Sequence, residues 1–211
     1  GMAGMVLLFL ASVWLTAGVV REEIMVLRVG GWSAPWGIVL VADRLSAAMT
    51  LVAALIALCT VGYAVSSVTE SETKTYFFPL MHLLMMGVNG SFLTGDLFNL
   101  YVCFEVMLIA SFVLMVHQGS PLQLEAGLKY VTINVLSSMI LLAGIGMLYG
   151  KLGTLNMVDI ARILQSTDES VLVNTTVVLL VIAFGIKSAI FPLFFWLPAS
   201  YHTLPVPVVA L

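Results

Sequence analysis

Charge is scarce in this sequence. Acidic and basic residues together make up 9% of its 211 positions, against about 25% in a soluble domain. Hydrophobic residues account for 61% and the mean hydropathy is +1.12. That balance excludes a soluble globular domain and predicts an integral membrane protein. The net charge of −3 is too small to attract a polyanion, so no nucleic acid is expected as a partner. Cysteine is equally rare: Cys59 and Cys103 both fall in apolar runs and lack CxxC spacing. They read as small core residues, with no metal or redox role. The glycine-rich GVNG at 87–90 lacks the Lys-Ser/Thr that a phosphate loop needs. No nucleophilic triad or cofactor motif is present, so no cofactor is expected. The first apolar run, 5–20, also lacks a basic leader and a small-residue cleavage site before a soluble domain. It reads as a membrane span and not as a cleaved signal.

What is abundant is long apolar runs. Spans are expected over 5–20, 44–65, 76–93, 97–116, 127–149 and 172–197, followed by PASYHTLPVPVVAL, which reads as the start of a seventh. The expected fold is therefore an all-α membrane protein of six transmembrane helices plus the beginning of another. Between the first two spans, Gly30-Gly31 and Pro35 break helix while Trp32 and Trp36 suit the headgroup layer, which predicts an interfacial loop over 24–37. Asp43 and Asp96 each stand where they would cap the span that follows. Asp43 and Arg44 are also placed to pair locally. A polar connector covers 66–75, and a second, over 150–171, contains MVDIARIL as a short surface helix. Ala143, Gly144 and Gly146 leave room for close helix packing.

Two charges interrupt the apolar runs. Glu105 lies near the middle of LFNLYVCFEVMLIASFVLMV (97–116), and Lys187 stands alone in VLLVIAFGIKSAIFPLFFW (178–196). A charge at that depth costs several kcal/mol unless it is paired or hydrated, so each is a functional candidate and each is the other's natural partner. Burial favours the neutral form of a lysine, which suits proton release. Pro192 and Pro198 remove two helical donors shortly after Lys187, so the sixth span is expected to kink or break there. Lys129 at a span end and His202 in a Pro-rich segment are weaker candidates for proton relay. Snorkelling to the interface explains Lys129 equally well. His82 reads as a packed helix histidine.

Three long stretches carry a resemblance, 82–114, 127–161 and 184–211, and with them the wording GVNGxFLTGDLFNL-FE-MLIAS, the GTLNM connector and GGW-APxGIVLVAD near residues 30–43. They resemble the antiporter-like membrane subunits of NADH–quinone oxidoreductases and Mrp antiporters, and most closely the D subunits of Mrp-type Na⁺/H⁺ antiporters. The resemblance implies a fold of about fourteen helices with two inverted five-helix repeats, each containing a broken helix. It implies that residues 1–211 form a single membrane domain holding most of the first repeat, a fragment without the second. It places Glu105 in the family's fifth helix, Lys129 at the start of the sixth, Lys187 in the broken seventh and His202 in the linker to the eighth. The implied activity is exchange of Na⁺ or another monovalent cation for protons, in a bacterial plasma membrane, with other Mrp subunits as partners. Two alternatives remain open on sequence alone: a proton-pumping subunit of a respiratory complex or membrane-bound hydrogenase, and a structural scaffold.

Overall fold

The computed structural model describes residues 1–67, 76–117, 119–166, 171–202, 204 and 206–211. Nine α-helices are found among them: α1 (Met2–Glu22), α2 (Arg44–Ser67), α3 (Phe77–Leu93), α4 (Leu97–Met115), α5 (Pro121–Leu152), α6 (Met157–Gln165), α7 (Val171–Lys187), α8 (Trp196–Tyr201) and α9 (Val206–Val209). Four of these, α1, α2, α4 and α5, are long and apolar enough to cross a bilayer, and α3 and α7 are apolar helices of 17 residues. The chain is mostly helical.

The interior is mainly apolar but carries hydroxyls and amides, and the outer surface is apolar as well. Ser12, Thr50, Thr60, Asn89, Asn134, Ser137, Ser138 and Thr176 are buried, whereas Leu7, Trp14, Leu45, Met139 and Val181 are more than 60% exposed. Apolar side chains facing outward with hydroxyls and amides turned inward is the arrangement a lipid solvent dictates. Buried hydroxyls need acceptors, and for two of them the preceding helical turn supplies one: Thr50 donates to Ser46 O and Thr176 to Leu172 O.

Packing follows from small residues. A Cβ on Gly87 would stand 2.8 Å from the Cys103 carbonyl oxygen and 3.0 Å from the Met107 nitrogen, so α3 and α4 approach to backbone contact there. Gly144 of α5 receives the side chains of Leu179 and Leu180 of α7, a looser contact, while Gly146 faces open space. Cys103 packs against Gly90, but Cys59 is exposed and is not a core residue. Its place on an apolar helix matched a core position, and the outward face of that helix is apolar too.

Three expectations need correction. The segment 24–37 is not simply a loop, because Met25–Arg28 (β1) and Val39–Ala42 (β2) pair antiparallel. The two strands are four residues each, and β2 is held from its other side, where Gly95 N–H donates to Val39 O at 2.8 Å. The expected sixth span, 172–197, stops as a helix at Lys187, and residues 188–195 leave it in a series of turns. Arg44 pairs with Glu23 at 3.5 Å, not with Asp43. Asp43 instead accepts from Ser46 N–H at 2.7 Å and caps α2, and this bond holds its carboxyl below the usual range. Elsewhere the expected elements are close to their places. The fifth span extends at both ends into the 32-residue α5, and MVDIARIL is α6. Of the two polar connectors, 68–75 and 167–170 lie outside the described residues, and with them Asp168 and Glu169.

Two matching turns tie the elements together on one side. Thr94-Gly95-Asp96 precedes α4 and Thr154-Leu155-Asn156 precedes α6. In each, the threonine hydroxyl accepts the N–H two residues on, at 3.2 Å, and the Asp or Asn caps the helix. Asp96 and Asn156 then pair antiparallel, with Leu97 N–H donating to Leu155 O at 3.0 Å and Met157 N–H to Gly95 O at 2.9 Å. The start of the Glu105 helix is thereby fixed to both the hairpin and α6.

Candidate functional site

Lys187 is the last residue of α7, and three helices determine where its ammonium lies. Helix α7 packs on α5, where Ser137 donates to Ala183 O at 2.8 Å. One residue further along α5, Ser138 accepts a hydrogen bond from Lys187 Nζ at 3.0 Å. The Ser137-Ser138 pair therefore fixes the register of α7 with one hydroxyl and binds its terminal ammonium with the other. On the opposite side the ammonium sits over the ring of Phe104 from α4, 5.2 Å from its centroid, an attraction that strengthens out of water. Phe104 in turn meets Phe184 edge-on at 6.2 Å.

Glu105 follows Phe104. Its Oε1 is buried without a hydrogen-bond partner, an uncompensated acceptor inside an apolar bundle. The carboxylate lies close enough to Lys187 for their charges to interact. Among the described ion pairs none joins them within 4.0 Å. The two charges are thus neighbours across a gap, each half-buried. Such a gap can be closed by a side-chain rotation or bridged by water.

Lys187 also lines a cavity of about 370 Å³, to which Ser111, Tyr130, Asn134, Ser188 and Tyr201 contribute polar groups. It is roomy enough for several waters, and its polar groups give them partners. Tyr130 and Ser111 share a hydrogen bond of 2.7 Å across α5 and α4. Trp196 stacks edge-on against Tyr130 at 5.5 Å.

The other two predicted residues stand apart from this pair. Lys129 is exposed and bonded to Glu125 at 2.6 Å, one helical turn earlier. His202 is exposed just after α8, with Nδ1 3.1 Å from Pro198 O. His82 is bonded to Phe78 O at 2.8 Å, a packed helix histidine. Among the described residues no group of three His, Cys, Asp or Glu stands close enough to hold a metal ion. Phe104, Ser111, Tyr130 and Trp196 escape a reading of the sequence as site residues. Each is an ordinary residue of an apolar span until the helices are packed. The adjacent serines at 137–138, inside an otherwise apolar run, were the one local signal.

Comparison with known proteins agrees with this architecture. The D subunit of a Na⁺/H⁺ antiporter from Alkalihalophilus pseudofirmus is 42% identical over 204 residues, which is 97% of this chain and 41% of the relative. The chain thus spans about two fifths of the length of that curated relative. A solved Mrp complex from Dietzia superposes with a TM-score of 0.86 at 32% identity, covering 99% of this chain and 39% of its counterpart. A membrane-bound sulfane sulfur reductase, an archaeal respiratory complex, gives a TM-score of 0.93 at 28% identity over 99% of this chain and 42% of that one. Residues 94–211, more than half of the sequence and inclusive of Glu105 and Lys187, match the family model described as NADH:quinone oxidoreductase/Mrp antiporter, transmembrane. The chain belongs to the NADH:quinone oxidoreductase/Mrp antiporter membrane family.

Proposed function

We propose that this chain is part of a subunit of a multisubunit antiporter that exchanges Na⁺, or another monovalent cation, for protons across a bacterial plasma membrane. The observation that carries the reading is Glu105 Oε1, buried without a hydrogen-bond partner, beside a Lys187 ammonium that meets a hydroxyl and an aromatic face among the described residues. Neither charge is locked in a described ion pair, which leaves both available to a mobile proton or cation. With Glu105 ionised and Lys187 protonated, the pair holds both charges inside the membrane. A proton or cation arriving nearby weakens that attraction, and Lys187 passes its proton into the cavity. Lys129 and His202, at exposed positions, act as outlying relays that collect or release protons.

The same reading covers the architecture. Residues 1–211 act as one membrane domain, with α1 to α5 and α7 as six crossings. The interruption after Lys187 is the break of a discontinuous helix whose second half is α8, and α9 begins the next crossing. Broken helices in membranes are stable where they line a wet cavity, which fits the position of 188–195 beside the site.

Shape does not separate the two readings, since respiratory complexes score both above and below the Mrp complex, at 0.93 and 0.72 against 0.86. Among the same structures identity is higher to the Mrp complex, at 32% against 28% and 26%. The deciding experiment uses everted vesicles containing the full-length protein and its neighbouring subunits, with a pH-quenched dye. Addition of Na⁺, K⁺ or Li⁺ is expected to dequench the dye in wild type, and Glu105→Ala or Lys187→Ala is expected to abolish the response while assembly persists. Full exchange in either variant would sink the charge-pair role. Proton pumping on NADH and quinone, with no cation response, would move the protein to the respiratory class.

A further inference from the structure

Helix α7 stops in a conformation that its own sequence does little to favour. Ile190 N–H donates to Gly185 O at 3.0 Å and Ala189 N–H to Ile186 O at 3.1 Å, the paired bonds of a Schellman stop. The residue at the left-handed position of that stop is normally glycine. Here it is Ala189, at φ 50°, where a Cβ carries a steric penalty that glycine does not. The stop beside Lys187 therefore needs support from elsewhere in the fold.

The support comes from Trp196. Its indole N–H donates to Ile186 O at 2.9 Å, ten residues back and immediately before Lys187. The ring is 5% exposed and lies against Tyr130 at 5.5 Å and Tyr201 at 6.3 Å. Tyr130 is buried as well, and its hydroxyl is bonded to Ser111 on α4, the helix of Glu105. A continuous series of contacts, Ile186 to Trp196 to Tyr130 to Ser111, thus joins the end of the lysine helix to the glutamate helix. It uses no charged group.

We propose that Trp196 is a positioning residue for Lys187, fixing the end of α7 relative to α4 whether or not Lys187 carries a proton. This rests on the charge-pair reading of Glu105 and Lys187. An ammonium that loses its proton loses most of its attraction to Phe104 and Glu105, and a helix end held only by those contacts would drift. The indole bond does not depend on that charge. Trp196 touches neither the ammonium nor the carboxylate, so its loss acts on the geometry of transfer and not on cation binding. Proton transfer depends steeply on such geometry, about 100-fold for a misplacement near 1 Å.

The test uses the full-length protein in its assembled complex, in everted vesicles. Trp196→Phe keeps an aromatic ring and removes the N–H. Replacement of Trp196 by 3-benzothienylalanine keeps the whole shape and removes only the donor. Lys187→Ala is measured alongside, and rates are normalised to assembled complex. Both Trp196 variants are expected to lower the maximal exchange rate by roughly tenfold, with the half-saturating cation concentration within about twofold of wild type. A full rate in the benzothienyl variant, with Lys187→Ala inactive, overturns the role of Trp196 alone. A raised half-saturating concentration at full rate overturns it too. Exchange persisting in Lys187→Ala overturns the charge-pair reading and this proposal with it.

Discussion

Lys187 and Lys129 share a side chain and differ in everything around it. Lys129 is exposed, with a carboxylate of its own one turn away, a pair that water and salt readily screen. Lys187 has a single hydroxyl and an aromatic face, with Glu105 beyond contact distance. Lys187→Arg is the informative change, because it keeps the charge and removes the capacity to release a proton. Dye dequenching in everted vesicles is expected to fall by at least about 100-fold, the range general acid–base catalysis commands. A rate near wild type would show that Lys187 serves as a fixed charge. Both members of the pair were legible in the sequence because each is alone in an apolar run. Ser138 and Phe104 were not legible as partners of Lys187, since those contacts depend on the register of α5, α4 and α7.

Helix existence was legible wherever polarity changes at the ends of a run. Asp96 opens α4, and the span read over 97–116 is a helix over Leu97–Met115. The end of α7 at Lys187 was legible only from Pro192 and Pro198, where an interruption just after the lysine was expected. Apolar residues continue through Ile190, Phe191 and Phe194-Phe195, so composition does not change where the helix stops. The hairpin was hidden for another reason: strands of four residues gain stability from neighbours, and the neighbour of β2 comes from 94–95, some fifty residues later. At the scale of helix pairs, Gly87 makes the sharpest demand. Gly87→Ala places a methyl group against the α4 backbone, which cannot rotate away, and is expected to cost about 1–3 kcal/mol. The thermal midpoint of the purified full-length protein in detergent should fall accordingly, and an unchanged midpoint would show that α3 and α4 can separate freely.

Over the whole molecule, lipid acts as the solvent for the outer surface. Trp14 is 71% exposed on α1 and Trp196 5% exposed beside the site. With the remaining tryptophans replaced by Phe, brominated acyl chains are expected to quench Trp14 strongly and Trp196 hardly at all. Equal quenching would mean that lipid reaches the site or that α1 is covered by another subunit. The paired turns before α4 and α6 bear on how such a molecule is made. Asp96 and Asn156 are 60 residues apart in sequence, and a ribosome takes about 3–12 s to cover that distance. Throughout that interval the helix carrying Glu105 is already synthesised but has no partner at 154–157. Until α5 delivers the second turn to the same side, its start is held by the hairpin alone, through Gly95 N–H and Val39 O. A nascent chain stalled before residue 154 would therefore hold its buried carboxylate in a helix latched on one side only.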